Sequence, residues 1–125
     1  MKKKVIAISA PPATGPFSHA MIANGFVFTA GQIHLTADGK LLEGNTETLV
    51  HQVMNNLQSI LNEAGVTFAD VVKTTIYVTD MSVYSKINEV YGSYMSEPFP
   101  AREVVCVKEL PLGAKVEISM VATIS

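Results

Sequence analysis

Hydrophobic and polar residues alternate along this chain with two different periods. Residues 25–33, GFVFTAGQI, crowd aromatic and β-branched residues between glycines and predict a strand. Before it, APPATGPFSHA is too rich in proline and glycine for regular structure and predicts a loop. After it, the Asp38-Gly39 pair in TADGKLL signals a tight hairpin turn. The period then changes. Leu49, Val50, Val53, Leu57, Ile60 and Leu61 recur at helical spacing. Asn45 is placed to cap that helix, Glu47 suits its first turn and Gly65 suits its end.

The second half repeats the scheme. DVVKTTIYV, residues 70–78, predicts a strand because its β-branched run fits a pleated surface. Ser82 is placed to cap a second helix with Tyr84, Ile87, Tyr91 and Tyr94 on one stripe, and Pro98 lies beyond its end. REVVCVKEL and KVEISMVATI, joined by PLGA, predict two strands in a hairpin. The order is two or three strands, helix, strand, helix, two strands. That predicts one α+β domain over residues 1–125, a single sheet with both helices on one face. Residues 71–78 and 102–108 are apolar on both faces, so the bare sheet face is expected to meet a partner, and oligomerisation supplies one.

Composition narrows the function. The chain is 48% hydrophobic and 16% charged, with a net charge of -2, and its one basic cluster, Lys2-Lys3-Lys4, reads as a solvated end. Nucleic acid is therefore a poor partner. No apolar run reaches membrane-spanning length, which predicts a soluble, cytoplasmic protein. The lone Cys106 forbids an internal disulfide, and its VVCVK setting predicts a small buried residue. His19, His34 and His51 lack the spacing of a metal site. GxGxxG, P-loop and GxSxG patterns are absent, which disfavours nucleotide binding and serine hydrolysis.

Two charged residues stand out. Arg102, in PFPAREVVCV, lies where the chain leaves two prolines and enters an apolar strand. A guanidinium there offers a partly desolvated fork for a carboxylate. Glu117 points opposite to the apolar stripe of Val116, Ile118 and Met120, and a glutamate near a bound acid can hold or deprotonate a water. On the residues alone, an Arg102 paired with Glu103 or Glu109 and a solvated Glu117 stay open. In a hairpin closed at PLGA, Glu117 falls opposite Cys106, and Arg102 is four positions on, on the order of 13 Å away. One small substrate cannot touch both unless the sheet bends or a neighbouring subunit completes the site.

GPFSHA, FTAGQI, DVVKTTIYVTDM, INEVY, FPAR and LPLGAKVEI occur in this order, from about residue 10 to 123. Together they resemble the RidA (YjgF-type) family of reactive-intermediate deaminases. The resemblance implies a homotrimer of chorismate-mutase-like fold with its sites in clefts between subunits. It implies hydrolysis of 2-imino acids, such as 2-iminopropanoate and 2-iminobutanoate, to 2-keto acids and ammonia, without a cofactor. Those imines arise from pyridoxal-phosphate-dependent dehydratases. Carried over by motif, Arg102 grips the substrate carboxylate and Glu117 positions the attacking water. Gly31 offers backbone contact at the imine end, Asn88 lines or supports the cleft, and the backbone at Val104 faces the ligand.

The chain departs from the family pattern at several places. Phe17 replaces the usual tyrosine, Ala30 a frequent serine and Val104 a frequent cysteine, and the last strand reads Glu117-Ile118-Ser119-Met120 rather than EIEA. Losing two polar groups at Phe17 and Ala30 is expected to favour more apolar imines or to slow the reaction. A trimer that senses a small carboxylate without turning it over is the competing reading. The endoribonuclease activity ascribed to some relatives finds little support in an acidic chain without a basic stripe.

Overall fold

The computed structural model describes residues 1–125. Six strands form one mixed sheet: β1 (Lys3–Val5), β2 (Ala20–Ala23), β3 (Phe26–Thr29), β4 (Val71–Val78), β5 (Ala101–Cys106) and β6 (Val116–Thr123). Two helices, α1 (Thr46–Glu63) and α2 (Tyr84–Gly92), pack on it. The strand order is β1-β2-β3-β6-β4-β5, with β4 and β5 parallel and every other pair antiparallel.

The first helix forms where its sequence periodicity places it. The side chain of Asn45 accepts the backbone N–H of Thr48 at 2.9 Å, which satisfies one orphan donor of the first turn. At the other end Gly65 takes a left-handed φ of 83° and returns its N–H to Asn62, closing the helix. Leu49, Val50, Val53, Leu57, Ile60 and Leu61 are all buried. They pack over Val27, Ile76, Ile118 and Ala122 in one core. Truncating Leu57 or Ile60 to alanine would cost about 2–5 kcal/mol, since these fully buried side chains leave cavities.

The sheet corrects four expectations. PLGA does not close a hairpin. β4 inserts between β5 and β6, so Glu117 sits across from Tyr77 and Arg102 across from Thr74. The real hairpin turn is Asn24-Gly25 between β2 and β3, both residues at positive φ (51° and 79°). Asp38-Gly39 does make its tight turn, the Thr36 N–H donating to the Lys40 carbonyl at 2.8 Å and the Gly39 N–H to the Thr36 carbonyl at 2.9 Å, but the flanks form one antiparallel bridge, Leu35 to Leu41, and no paired strands. Ser82 does not cap α2. It receives a cap, donating its N–H to Asp80, and this stabilises the carboxylate and lowers its pKa. Finally, Cys106 is exposed, at the end of the edge strand β5.

Alternation then assigns the faces. Val116, Ile118 and Met120 of β6 and Thr74, Ile76 and Val78 of β4 are buried towards the helices. The opposite face has no helix over it. Phe28 of β3, Val121 and Glu117 of β6 and Tyr77 of β4 share it, and Phe28 is 46% exposed. No helix is long and apolar enough to cross a membrane.

Candidate active site

The two charged residues occupy separate places. Arg102 lies on the helix-facing side of the edge strand β5 and reaches α2. Its Nη1 donates to Oδ1 of Asn88 at 2.6 Å and its Nη2 to the hydroxyl of Tyr84 at 2.9 Å. The guanidinium carbon stands 5.7 Å from the ring centre of Tyr84 and 5.3 Å from that of Tyr91. Tyr91 is fixed in turn, its hydroxyl donating to the fully buried Thr74 at 3.0 Å. Burial raises the Tyr91 pKa, so the ring stays neutral beneath the cation. Beside this cage opens a cavity lined by Asn88, Gly92, Phe99, Pro100 and Arg102.

Glu117 lines a different and larger cavity of about 410 Å³. Phe17, Ala30, Gly31, Gln32 and Leu112 stand around it. Burial in these mostly apolar surroundings pushes the Glu117 carboxyl above the usual carboxylate range. The fit to Gly31 is close. A Cβ there would run into Oε2 of Glu117 and lie 2.8 Å from its carboxyl carbon, so no larger residue leaves the acid in place. Leu112 at the rim is 71% exposed and held at φ 59°, a left-handed conformation uncommon for a residue with a side chain.

The chain's ion pairs are Lys73 with Glu103 and Lys86 with Glu89, and the His51 ring stands 4.0 Å from Glu47. None involves Arg102 or Glu117. Glu103 is thus spent on Lys73, at 2.7 Å, and not on its neighbour in sequence.

The structure gathers Glu117, Gly31, Ala30 and Phe17 at one cavity, and Arg102 and Asn88 at another. Val104 follows Arg102 on β5, and its side chain packs half-buried against the core. In one chain the two groups do not meet. Three positions of β4 and two strand spacings separate them, roughly 14 Å in the plane of the sheet, and they project from opposite faces.

Supporting residues escaped the sequence reading. Asn56, 3% exposed in the middle of α1, donates to the carbonyls of Ile33 and Leu35 at 3.2 and 2.9 Å. It pins the loop that follows Gly31. A polar residue on the buried stripe of an amphipathic helix was the available signal. His19 bridges the N-terminal segment to the same cavity, accepting the Ala7 N–H on Nδ1 and meeting the Pro11 carbonyl with Nε2. Tyr84 gives no signal in sequence, since its partner lies 18 residues away.

A small α+β protein with an unpaired cation and an unpaired, desolvated carboxylate in two open cavities has the makings of an acid–base enzyme acting on a small anion. Comparison with known proteins gives the family. The model for Endoribonuclease L-PSP matches residues 7–124, and the chain belongs to this family, also known as YjgF/RidA. A RutC family protein of Aquifex aeolicus is 46% identical over 116 residues, covering 90% of this chain and 92% of that one. Reactive Intermediate Deaminase A of Arabidopsis thaliana, a chloroplastic protein, is 40% identical over 99% of this chain and 67% of its own length. A Rid family structure from Yersinia pestis superposes with a TM-score of 0.96 at 39% identity, covering 99% of this chain and all of that one.

Proposed function

We propose that the protein is a cofactor-independent deaminase of small 2-imino acids, working as a homotrimer of chorismate-mutase-like fold. The observation that carries this reading is the pair of uncompensated charges on opposite faces of one sheet. Each is half of a site for an anion that must be hydrolysed. A second copy packed against the bare sheet face brings its Glu117 to the Arg102 corner of the first. The exposed Phe28 and its neighbours give that packing an apolar surface to cover.

The chemistry follows from the two halves. Arg102 has N–H groups left over after Asn88 and Tyr84, and these take the substrate carboxylate. The imine carbon then lies towards Glu117 of the neighbour, beside the backbone of Gly31. A water held by Glu117 adds its oxygen to that carbon and gives one proton to the carboxylate. The proton passes to nitrogen, the carbinol O–H gives its own proton to the Glu117 carboxylate as the C–N bond breaks, and ammonia leaves a 2-keto acid. Glu117 suits the exchange because its raised pKa lets it hold a proton transiently. Positioning supplies most of the rate, since a protonated imine is already electrophilic. Phe17 and Ala30 bring no hydroxyl to the cavity wall, which favours imines with apolar side chains, from 2-iminopropanoate and 2-iminobutanoate upwards.

The test is competition. A serine or threonine dehydratase generates the imine in situ while semicarbazide traps it. The protein is expected to divert the imine to keto acid faster than the trap captures it. No diversion on several imines would leave the carboxylate-sensor reading in its place, with tight binding of a 2-keto acid and no turnover as its mark.

A further inference from the structure

Glu117 is flanked on both sides by stitches to the segment that leaves β3. On one side, Gln32 and Ile118 exchange backbone hydrogen bonds, at 2.9 and 3.1 Å. On the other, the backbone N–H of Lys115 donates to Nε2 of His34 at 3.0 Å. The carboxylate therefore lies between two ties, and Gly31, the residue it abuts, begins the tied segment. His34 is anchored from behind. Its Nδ1 meets the Leu42 carbonyl at 3.0 Å, and Leu42 returns its N–H to the His34 carbonyl at 2.8 Å.

These partners fix the proton on the ring. A backbone N–H can only donate, so Nε2 is bare. A carbonyl can only accept, so Nδ1 carries the hydrogen. The ring is 2% exposed and locked in one neutral tautomer. A second proton would set N–H against N–H at Lys115 and break that tie. The charged groups that face the ring are Glu43, next to Leu42, and Lys115 at the entrance to β6.

We propose that His34 is a positioning residue for Glu117, its neutral imidazole setting the distance between the carboxylate and the Gly31 backbone. The inference rests on reading Glu117 as the water-holding group. Protonating the ring breaks the tie two places before the carboxylate, leaving residue 115 held through its carbonyl by the Thr79 N–H at 3.4 Å, and the acid shifts away from Gly31. Desolvation lowers the His34 pKa from 6.5, outweighing the Leu42 carbonyl and Glu43, which raise it. The folded chain then binds fewer protons than the unfolded one below that value. The lock is intact above pH 6.5 and is lost as pH falls further, through the depressed folded value.

Nitrogen-15 spectra of the intact protein test this directly. His34 should show the Nδ1–H tautomer. The Gly31 and Lys115 amides should move with the titration of its ring. In His34→Gln, whose amide oxygen can accept the Lys115 N–H without titrating, that step should vanish. An Nε2–H tautomer, or a Gly31 amide blind to the ring, would overturn the proposal. Turnover adds a second reading: His34→Ala should lower kcat about tenfold with KM within about twofold, and His34→Gln should restore most of the loss. Equal kcat in His34→Ala and wild type would also overturn it. Should wild type hydrolyse no imine, the deaminase reading falls, and the amide titration still decides the role of His34.

Discussion

The Arg102 corner and the Glu117 cavity solve opposite problems. At the corner a cation is kept half-buried by aromatic faces and neutral oxygens, with no carboxylate near enough to neutralise it. In the cavity an acid is kept half-buried by apolar walls and a glycine, with no cation to draw its proton off. Pairing the two within one chain would have stabilised both and left neither for a ligand. The sheet prevents that by setting them on opposite faces. On the proposed reading, each chain carries two half-sites and a cleft is completed by a second copy.

Variants break the comparison in order of expected effect. Glu117→Gln should lower kcat by about a thousandfold while leaving carboxylate binding nearly intact, because it removes the proton acceptor alone. The same variant should raise the melting temperature at neutral pH. Burial raises the Glu117 pKa, so the native state binds its proton more tightly than the unfolded chain does, and stability falls as pH rises through that window. A substitution that cannot ionise avoids the loss. Arg102→Ala should cost about a hundredfold or more in kcat/KM, mostly through KM, with the charge-assisted fork gone. Steady-state rates under semicarbazide competition measure both.

Mixing those two dead variants sharpens the comparison. Refolded together in equal amounts, a cyclic trimer that builds each cleft from two chains regains about a quarter of its clefts. A site closed within one chain regains none. Gly31→Ala should follow, at roughly tenfold in kcat, since the new Cβ must displace the carboxylate. Tyr84→Phe should be the mildest, at about threefold to tenfold in KM, the loss of one hydrogen bond to Arg102.

The legible parts of the molecule are those whose cause is local. The stripe from Leu49 to Leu61, its Asn45 cap and its Gly65 stop lie within a few turns of one another, and α1 formed as read. The β-branched run of β4 was equally plain. Strand order was not, because nothing in PLGA reports that β4 will slide between the strands it joins. The antiparallel partners of β6 come from about 45 and about 95 residues earlier in the chain, separations that no local pattern encodes. The site divides the same way. Arg102, Glu117 and Gly31 sit in short motifs and could be named. Asn56, His34 and Tyr84 act on groups 18 to 81 residues distant, and their roles exist only after folding.

Arg102 has one further duty that its chemistry conceals. It belongs to β5, the last strand of the sheet, whose outer row of peptide groups has no neighbour in the chain. The sequence inside, VVC, is apolar and β-branched, the composition that lets an open edge pair with another strand. Arg102 and Glu103 open that strand with charge and guard it against wrong pairing. Stripping the guanidinium therefore exposes a sticky edge as well as weakening the proposed carboxylate site. Light scattering should find Arg102→Ala clumping during refolding, where Arg102→Lys, with its charge but not its fork, remains clear.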